Sequence, residues 1–439
     1  MQPSFRAPRR SGAQTPSARS GDDDPIVASR RHKPDYLIAL FMGLLMLLGL
    51  IVMYAIGPQR ANVLNSLYGA DYASTYFFSK QTVSLLLALV AFSAAALIPF
   101  QLFRRYSKLA MYVGFGACVL LAVSALLHLP LAQESLGATR WFNLGPLGSL
   151  QPAEILKFGL LLFTAGFLGT RARQGLINDL HKTLIPLGIV IGAAIVLVIG
   201  VQKDMGTGLA LLAIVTAMLV TAGLSWRWMG LLGLGLLGAM VLLIVVAPHR
   251  MERVATFLKG DEASLEDDSS YHIVHAKIAI GSGGFSGVGI GNSVQATGYL
   301  PEAINDSVFA IMGETFGFVG LTVIIVLFAA LLLRLLAVAD RLEDMRLRLL
   351  AVGAFGWLGA HVILNIAAMI GIFPLTGITL PLLSFGGTSM IFIAAALGLA
   401  FQLSRYTSMI PITEEKGSHE DTRSRRGVGR TRYAGRRSY

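Results

Sequence analysis

What most constrains this chain is a series of about ten apolar runs, each near twenty residues long, separated by short polar or charged segments. A helix rises 1.5 Å per residue, so about 20 apolar residues cross the roughly 30 Å hydrocarbon layer of a bilayer. The runs lie at Tyr36 to Ile56, Phe77 to Phe100, Leu109 to Leu129, Pro152 to Thr170, Thr183 to Val201, Met205 to Leu224, Trp228 to Ala247, Ser307 to Leu335, Leu349 to Phe373 and Leu382 to Ser404. They predict an all-α polytopic membrane protein with about ten transmembrane helices, since only helices and closed barrels satisfy their main chain inside lipid. A balance of 54% hydrophobic to 14% charged residues agrees, being too apolar for the surface of a water-soluble fold of 439 residues. Between the fifth and sixth runs stand only Gln202, Lys203 and Asp204, and this polar break followed by Gly206 and Gly208 reads as a tight turn between two helices. Four glycines in the seventh run, Gly230, Gly233, Gly235 and Gly238, suit close packing against a neighbouring helix.

The cations orient the runs. Arg30, Arg31 and Lys33 precede the first run, Arg104, Arg105 and Lys108 follow the second, Arg171 and Arg173 the fourth, Arg227 the sixth, and Arg341, Arg346 and Arg348 the eighth. With ten crossings all of these, and the Arg-rich C-terminal tail, share one side, so both termini are expected in the cytoplasm. The net charge of +11 is therefore an orientation signal, and no nucleic-acid partner is expected, because the cations do not gather on one folded face. The chain divides into a polar leader at 1–35, too unlike a signal peptide to be cleaved, a transmembrane domain at 36–404 and a basic tail at 405–439. The largest extracellular loop, 248–306, joins the seventh and eighth helices. It holds an acidic stretch around Asp267, an amphipathic segment from Tyr271 to Ile280 and a glycine-rich run from Gly281 to Gly291 expected to shape a tight turn. The lone cysteine, Cys118, rules out an intrachain disulfide and reads as a packing residue.

Ionisable residues at the outward helix ends are the candidates for chemistry, since a charge in a span is costly to insert. Arg140, beside Trp141, can grip a phosphate in bidentate fashion. Glu154 and Lys157 stand three apart on one helix face, as an internal ion pair or a binding pair. Asp204 is a loop cap or part of a cavity. His272 and His275, without a third ligand, read as the polar face of an interfacial helix, so no metal site is assigned. Glu302 and Asp306 stand at the entrance to the eighth helix, where Asp306 is either a cap or a general base. No cofactor is evident, and a divalent metal ion is left open.

The stretch IGSGGFSGVGIGNSVQATGYLPEAINDSVFAIMGETFG resembles the SEDS family of FtsW, RodA and SpoVE, together with GATRWFNLGPLGSLQPAEILK, QKDMGTGL and NIAAMIGIFPLTGITLPLLSFGGTS, all in the family's order. YLPEA preceded by GNS, with the long leader, favours the FtsW branch. The resemblance implies a peptidoglycan glycosyltransferase that polymerises lipid II and releases undecaprenyl diphosphate, inverting the anomeric carbon. It also implies work beside a class B penicillin-binding transpeptidase and other divisome proteins, at the septum of the bacterial cytoplasmic membrane. Asp306 matches the family's essential aspartate, Arg140 and Lys157 match its basic positions and are candidates to offset the diphosphate charge, and Glu314 matches a further acid; Lys277 is added on chemical grounds as a third cation for the diphosphate. Ile304-Asn305, Lys203 and Phe385 depart from the family's usual residues. Outside this reading stand a RodA-type elongation polymerase, a flippase for the lipid-linked precursor and a non-catalytic scaffold whose basic tail binds membrane lipids or a partner.

Overall fold

The structure, a computed structural model, describes residues 32–135, 138–145, 148–245, 251 and 268–407. The acidic stretch around Asp267, most of the leader and the basic tail lie outside the described residues. Each of the ten apolar runs carries a helix: α1 (Tyr36–Tyr68), α2 (Tyr76–Leu97), α3 (Phe100–Leu126), α4 (Pro152–Arg173), α5 (Leu180–Val201), α6 (Met205–Thr221), α7 (Trp226–Val245), α9 (Val308–Asp340), α10 (Met345–Met369) and α11 (Gly387–Leu403). Among the described residues eight of these are long and apolar enough to cross a membrane; α6 is shorter, at 17 residues. The chain is thus a multi-pass membrane protein. The amphipathic segment forms α8 (Asp268–Ser282), which packs along α9 and touches α10.

The spans sort into two shells. In α4, α10 and α11, 67%, 72% and 72% of the apolar window is buried, against 28% to 39% in α1, α2, α3, α5 and α9. The inner three form the core, and the outer ones present Leu47, Val90 and Leu109 outward, a surface that lipid covers and water would not. Packing between shells relies on small residues. A Cβ on Gly114 of α3 would lie 2.5 Å from Leu156 Cα, and one on Gly159 of α4 2.6 Å from the Ala110 carbonyl oxygen, so the two helices touch backbone to backbone. The glycines of α7 do not behave this way. Among the described residues nothing lies within 4 Å of a Cβ placed at Gly230, Gly233, Gly235 or Gly238, because α7 is peripheral and the described side chains on its first turns are largely exposed.

Three further features depart from the sequence reading. First, α1 continues past Ile56 to Tyr68, and Gln59 Nε2 on the extension donates to the Gly291 carbonyl at 2.9 Å. Second, the segment before α4 is a three-stranded antiparallel sheet, β1 (Ala132–Ser135), β2 (Ala138–Asn143) and β3 (Ser149–Leu150), in the order β1-β2-β3. Third, Gly206 and Gly208 lie inside α6, and the turn before it is made by Lys203, whose φ of +54° is left-handed. Gly206 is needed for packing instead, since a Cβ there would meet Ile378 Cγ1 at 2.3 Å.

The glycine-rich run does more than turn. Helix α9 is broken at Gly317, where φ is +65° and ψ −164°. The loop enters the break: Val288 N–H donates to the Glu314 carbonyl at 2.9 Å and Gly289 N–H to that of Thr315 at 3.1 Å, while Phe318 N–H donates to the Gly284 carbonyl at 2.9 Å. The main-chain groups freed by the break are thereby satisfied, as a low-dielectric setting demands. Side chains would not fit, since a Cβ on Gly287 would lie 2.2 Å from the Thr315 carbonyl oxygen and one on Gly317 2.3 Å from Gly287 N. Glu314 locks the same loop, accepting from Ser293 Oγ at 2.5 Å, Val294 N–H at 3.0 Å and Gln295 N–H at 3.2 Å. Gly317→Ala is therefore expected to destabilise the detergent-solubilised protein by more than about 1 kcal/mol in thermal unfolding. Gly43→Ala, in open space on α1, serves as the neutral control; equal melting of the two variants would show that the break does not depend on glycine.

Candidate functional site

Asp306 lies two residues before α9, half-buried, on a loop whose main chain is fixed on several sides. Asn365 Nδ2, from the far end of α10, donates to the Asp306 carbonyl at 2.7 Å and to the Ile378 carbonyl at 2.7 Å. Phe385 N–H donates to the Ile304 carbonyl at 2.8 Å. Ser307, not Asp306, occupies the cap position of α9. Its hydroxyl donates to the Pro301 carbonyl at 2.8 Å and lies 2.5 Å from His272 Nε2. With the hydroxyl proton committed to Pro301, the imidazole is the donor in that second contact. Glu302, at φ +49°, accepts from Asn305 Nδ2 and closes the turn that presents Asp306. His275 turns to Gln295, with Nδ1 at 2.8 Å from Oε1. The two histidines of α8 thus serve different partners, and among the described residues no three His, Cys, Asp or Glu side chains gather to hold a metal.

Arg140 and Asp204 form a second group. In the β1-β2 pairing Gln133 faces Trp141 and Glu134 faces Thr139, which leaves Arg140 as the extra residue of a bulge. A bulge re-aims a side chain, and here Arg140 Nη2 donates to the Lys203 carbonyl at 2.9 Å, bracing the α5–α6 turn. Asp204 caps α6, accepting from Thr207 N–H at 2.9 Å, Thr207 Oγ1 at 2.8 Å and Gln151 Nε2 at 2.8 Å. Of the two readings of Asp204, the cap is what the geometry displays.

Glu154 and Lys157 form a third, enclosed group. Lys157 is 0% exposed, with Nζ 2.7 Å from Glu154 Oε1, 3.2 Å from His361 Nε2 and 4.9 Å from the Trp357 ring centroid. Glu154 lies within electrostatic reach of Asp204. His361 is one helical turn before Asn365 on α10, so the same helix face holds the buried cation and the Asp306 main chain. Neither polar residue had been singled out from the sequence. The available signal was their spacing of four in an otherwise apolar span.

The strip 376–385 joins these groups. Ile378 packs on Gly206 of α6 through its side chain and is held by Asn365 through its carbonyl, so the Asp204 and Asp306 ends share one wall. Lys277 is exposed on α8, and its stem lies over Gly371, just past α10: a Cβ on that glycine would be 2.7 Å from Lys277 Cε. Asp306, Glu302, Arg140, Asp204 and Lys277 therefore belong to one end of the helical body, with Glu154 and Lys157 a turn deeper.

Residues 35–409 match the FtsW, RodA and SpoVE family of cell cycle proteins. The chain belongs to that family. Stage V sporulation protein E of Bacillus subtilis is 32% identical over 383 residues, covering 87% of this chain and all of that one. An FtsW of Taylorella equigenitalis, named a probable peptidoglycan glycosyltransferase, is 32% identical over 369 residues, covering 82% and 94%. Among solved structures, a chain of a peptidoglycan synthase complex described as coordinating polymerization and crosslinking superposes with a TM-score of 0.64 at 28% identity, over 85% of this chain and 98% of that one. RodA of Thermus thermophilus superposes at 0.61 with 24% identity, over 86% and 98%, and shares the fold.

Removing one partner of a buried ion pair strands the other charge, at a cost of about 3–5 kcal/mol, whereas replacing both can be nearly neutral. Lys157→Met and Glu154→Gln alone are each expected to lower stability by that order in detergent melts, and the double variant to recover most of the loss. Additive losses in the double variant would show that the two residues act separately.

Proposed function

We propose that this chain is a peptidoglycan glycosyltransferase that joins disaccharide units of lipid II and releases undecaprenyl diphosphate. The observation that carries the reading is Asp306, a half-buried carboxylate whose main chain is clamped by Asn365 to the strip that also packs on α6, where Arg140 braces the preceding turn. The names of the FtsW relatives support it. In the reaction an acceptor sugar hydroxyl attacks the anomeric carbon of the donor, its proton passes to the Asp306 carboxylate, and the bond to the diphosphate breaks as the glycosidic bond forms. A single displacement inverts that carbon. The leaving diphosphate gains negative charge, which Arg140 and Lys277 would offset in this reading. Glu302 and Asp204 hold the walls through their hydrogen bonds. Lys157, a candidate for direct charge compensation, is enclosed by Glu154, His361 and Trp357, and enters the proposal with Glu154 as a positioning pair.

The further proposal is a septal, FtsW-type role at the cytoplasmic membrane of a bacterium, with a class B penicillin-binding transpeptidase as partner and other divisome proteins nearby. The peptidoglycan synthase complex among the structural neighbours supports such a partner.

Glycan formation from purified lipid II, with a candidate transpeptidase supplied, tests the central claim. A general base contributes about 10²–10⁴-fold, so Asp306→Asn is expected to lose at least about 100-fold in rate while melting like the parent. Polymer from both proteins at similar rates would remove Asp306 from that role.

A further inference from the structure

The candidate site occupies one end of α4 and α10. At the other end of the same helices lies a cleft of about 690 Å³ between the start of α3, the last turns of α4 and the first turn of α10. Its lining brings together Arg104, Arg105, Lys108, Arg171 and Arg346, and no carboxylate among the described residues that line it. As α4 has 22 residues, this cleft is about 30 Å from the sheet end. A phosphate held here is therefore not one that contacts Asp306.

An orientation signal needs only solvated cations in loops, and these are arranged otherwise. Arg346 is buried, its stem seated against Gly169 and its Nη2 donating to Thr170 Oγ1 at 3.1 Å. Arg171 lies over the Phe167 ring at 5.3 Å. Arg104 Nη1 is buried and has no hydrogen-bond acceptor among the described residues. The N-terminus of α3, a 27-residue helix without a side-chain cap, adds its positive dipole end beside Gln101 and Arg104. The one carboxylate at this end that the α10 cap presents, Asp344, is taken up by Arg173 at 2.6 Å.

The remaining lining is apolar, with Phe163 and Phe167 on the α4 wall. Leu102 and Leu109, on the lipid-facing side of the same stretch of α3, are 48% and 56% exposed. A recess with a cationic floor, an aromatic wall and apolar neighbours at its margin suits a molecule with a phosphate at one end and acyl chains at the other. We propose that this cleft is a binding site for an anionic phospholipid headgroup of the leaflet at the basic end of the protein. The phosphate is gripped by Arg104 and Lys108, and the first methylenes lie along Phe163 and Phe167.

The test is native mass spectrometry of the full chain in detergent, titrated with dioleoylphosphatidylglycerol, dioleoylphosphatidylcholine or inorganic phosphate. A one-to-one phosphatidylglycerol adduct that survives excess phosphatidylcholine is expected. Arg104→Gln and Lys108→Gln should each weaken it about fivefold, the contribution of one juxtamembrane cation, and Arg227→Gln, an exposed cation outside the cleft, should leave it unchanged. Equal retention of the two lipids, or equal weakening by Arg227→Gln, would overturn the site in favour of diffuse surface charge. Inorganic phosphate held as tightly as phosphatidylglycerol would overturn the lipid assignment. Lys108 is exposed, which keeps one variant usable if Arg104→Gln misfolds. Photoactivatable phosphatidylglycerol on the unaltered protein should crosslink within 101–108 and 163–171, and crosslinks confined to other segments would refute the proposal.

Discussion

Main-chain polarity inside a layer without water is the constraint on which the rest of this architecture depends. A helix satisfies it automatically, but a functional loop that dips between helices does not, and each unpaired group is expensive. At Gly317 the chain meets that demand by letting one irregular segment complete another: the break in α9 exposes carbonyls and an amide, and the glycine-rich loop supplies their partners. Glu314 then satisfies two further amides of the loop, those of Val294 and Gln295. The segment that leads to Asp306 hangs from this junction, so a site built from loops inherits the rigidity of a helix bundle.

The same logic governs the charges. Lys157 is enclosed in protein, and its neighbours are a carboxylate, an imidazole and an aromatic face rather than lipid. Such an arrangement contributes little net stability compared with an apolar isostere. What it does supply is direction, because Lys157 reaches from α4 to His361 and Trp357 of α10 at one depth and one rotation. Asp204 and Gln151 repeat the device one turn higher, linking α4 to α6 through a cap. Charges inside this bundle set how helices sit against one another before they set anything chemical.

How much of this was written legibly in the sequence depends on whether the determinant was local. Length and hydropathy placed a helix in all ten runs, and the position of Asp306 beside a helix start was readable from its apolar successor. The β-sheet before α4 was missed because its strands are short and their pairing is not local. The left-handed Lys203 was missed because the glycines beside it look like the natural turn formers, and only the approach of Ile378 shows that Gly206 is small for another reason. The packing expected of the α7 glycines fails on similar grounds, since spacing says that a helix can be approached closely and nothing about whether a neighbour is there. Asn365 was the largest omission. Its two acceptors are 59 and 13 residues away, and no window along the chain contains that information.

The Asn365 clamp also bears on how far the elements at this end of the bundle can part. One amide nitrogen bonded to two carbonyls at 2.7 Å ties the α9 entrance to the strip after α10, and the two cannot part without breaking at least one of those bonds. On the α1 side the tie is an exposed one, Gln59 Nε2 to the Gly291 carbonyl, beside the packing of α1 on α9. The consequence is one of register: a displacement of α10 along its axis carries the Asp306 main chain and the Ile378 strip with it, because both hang from one side-chain amide.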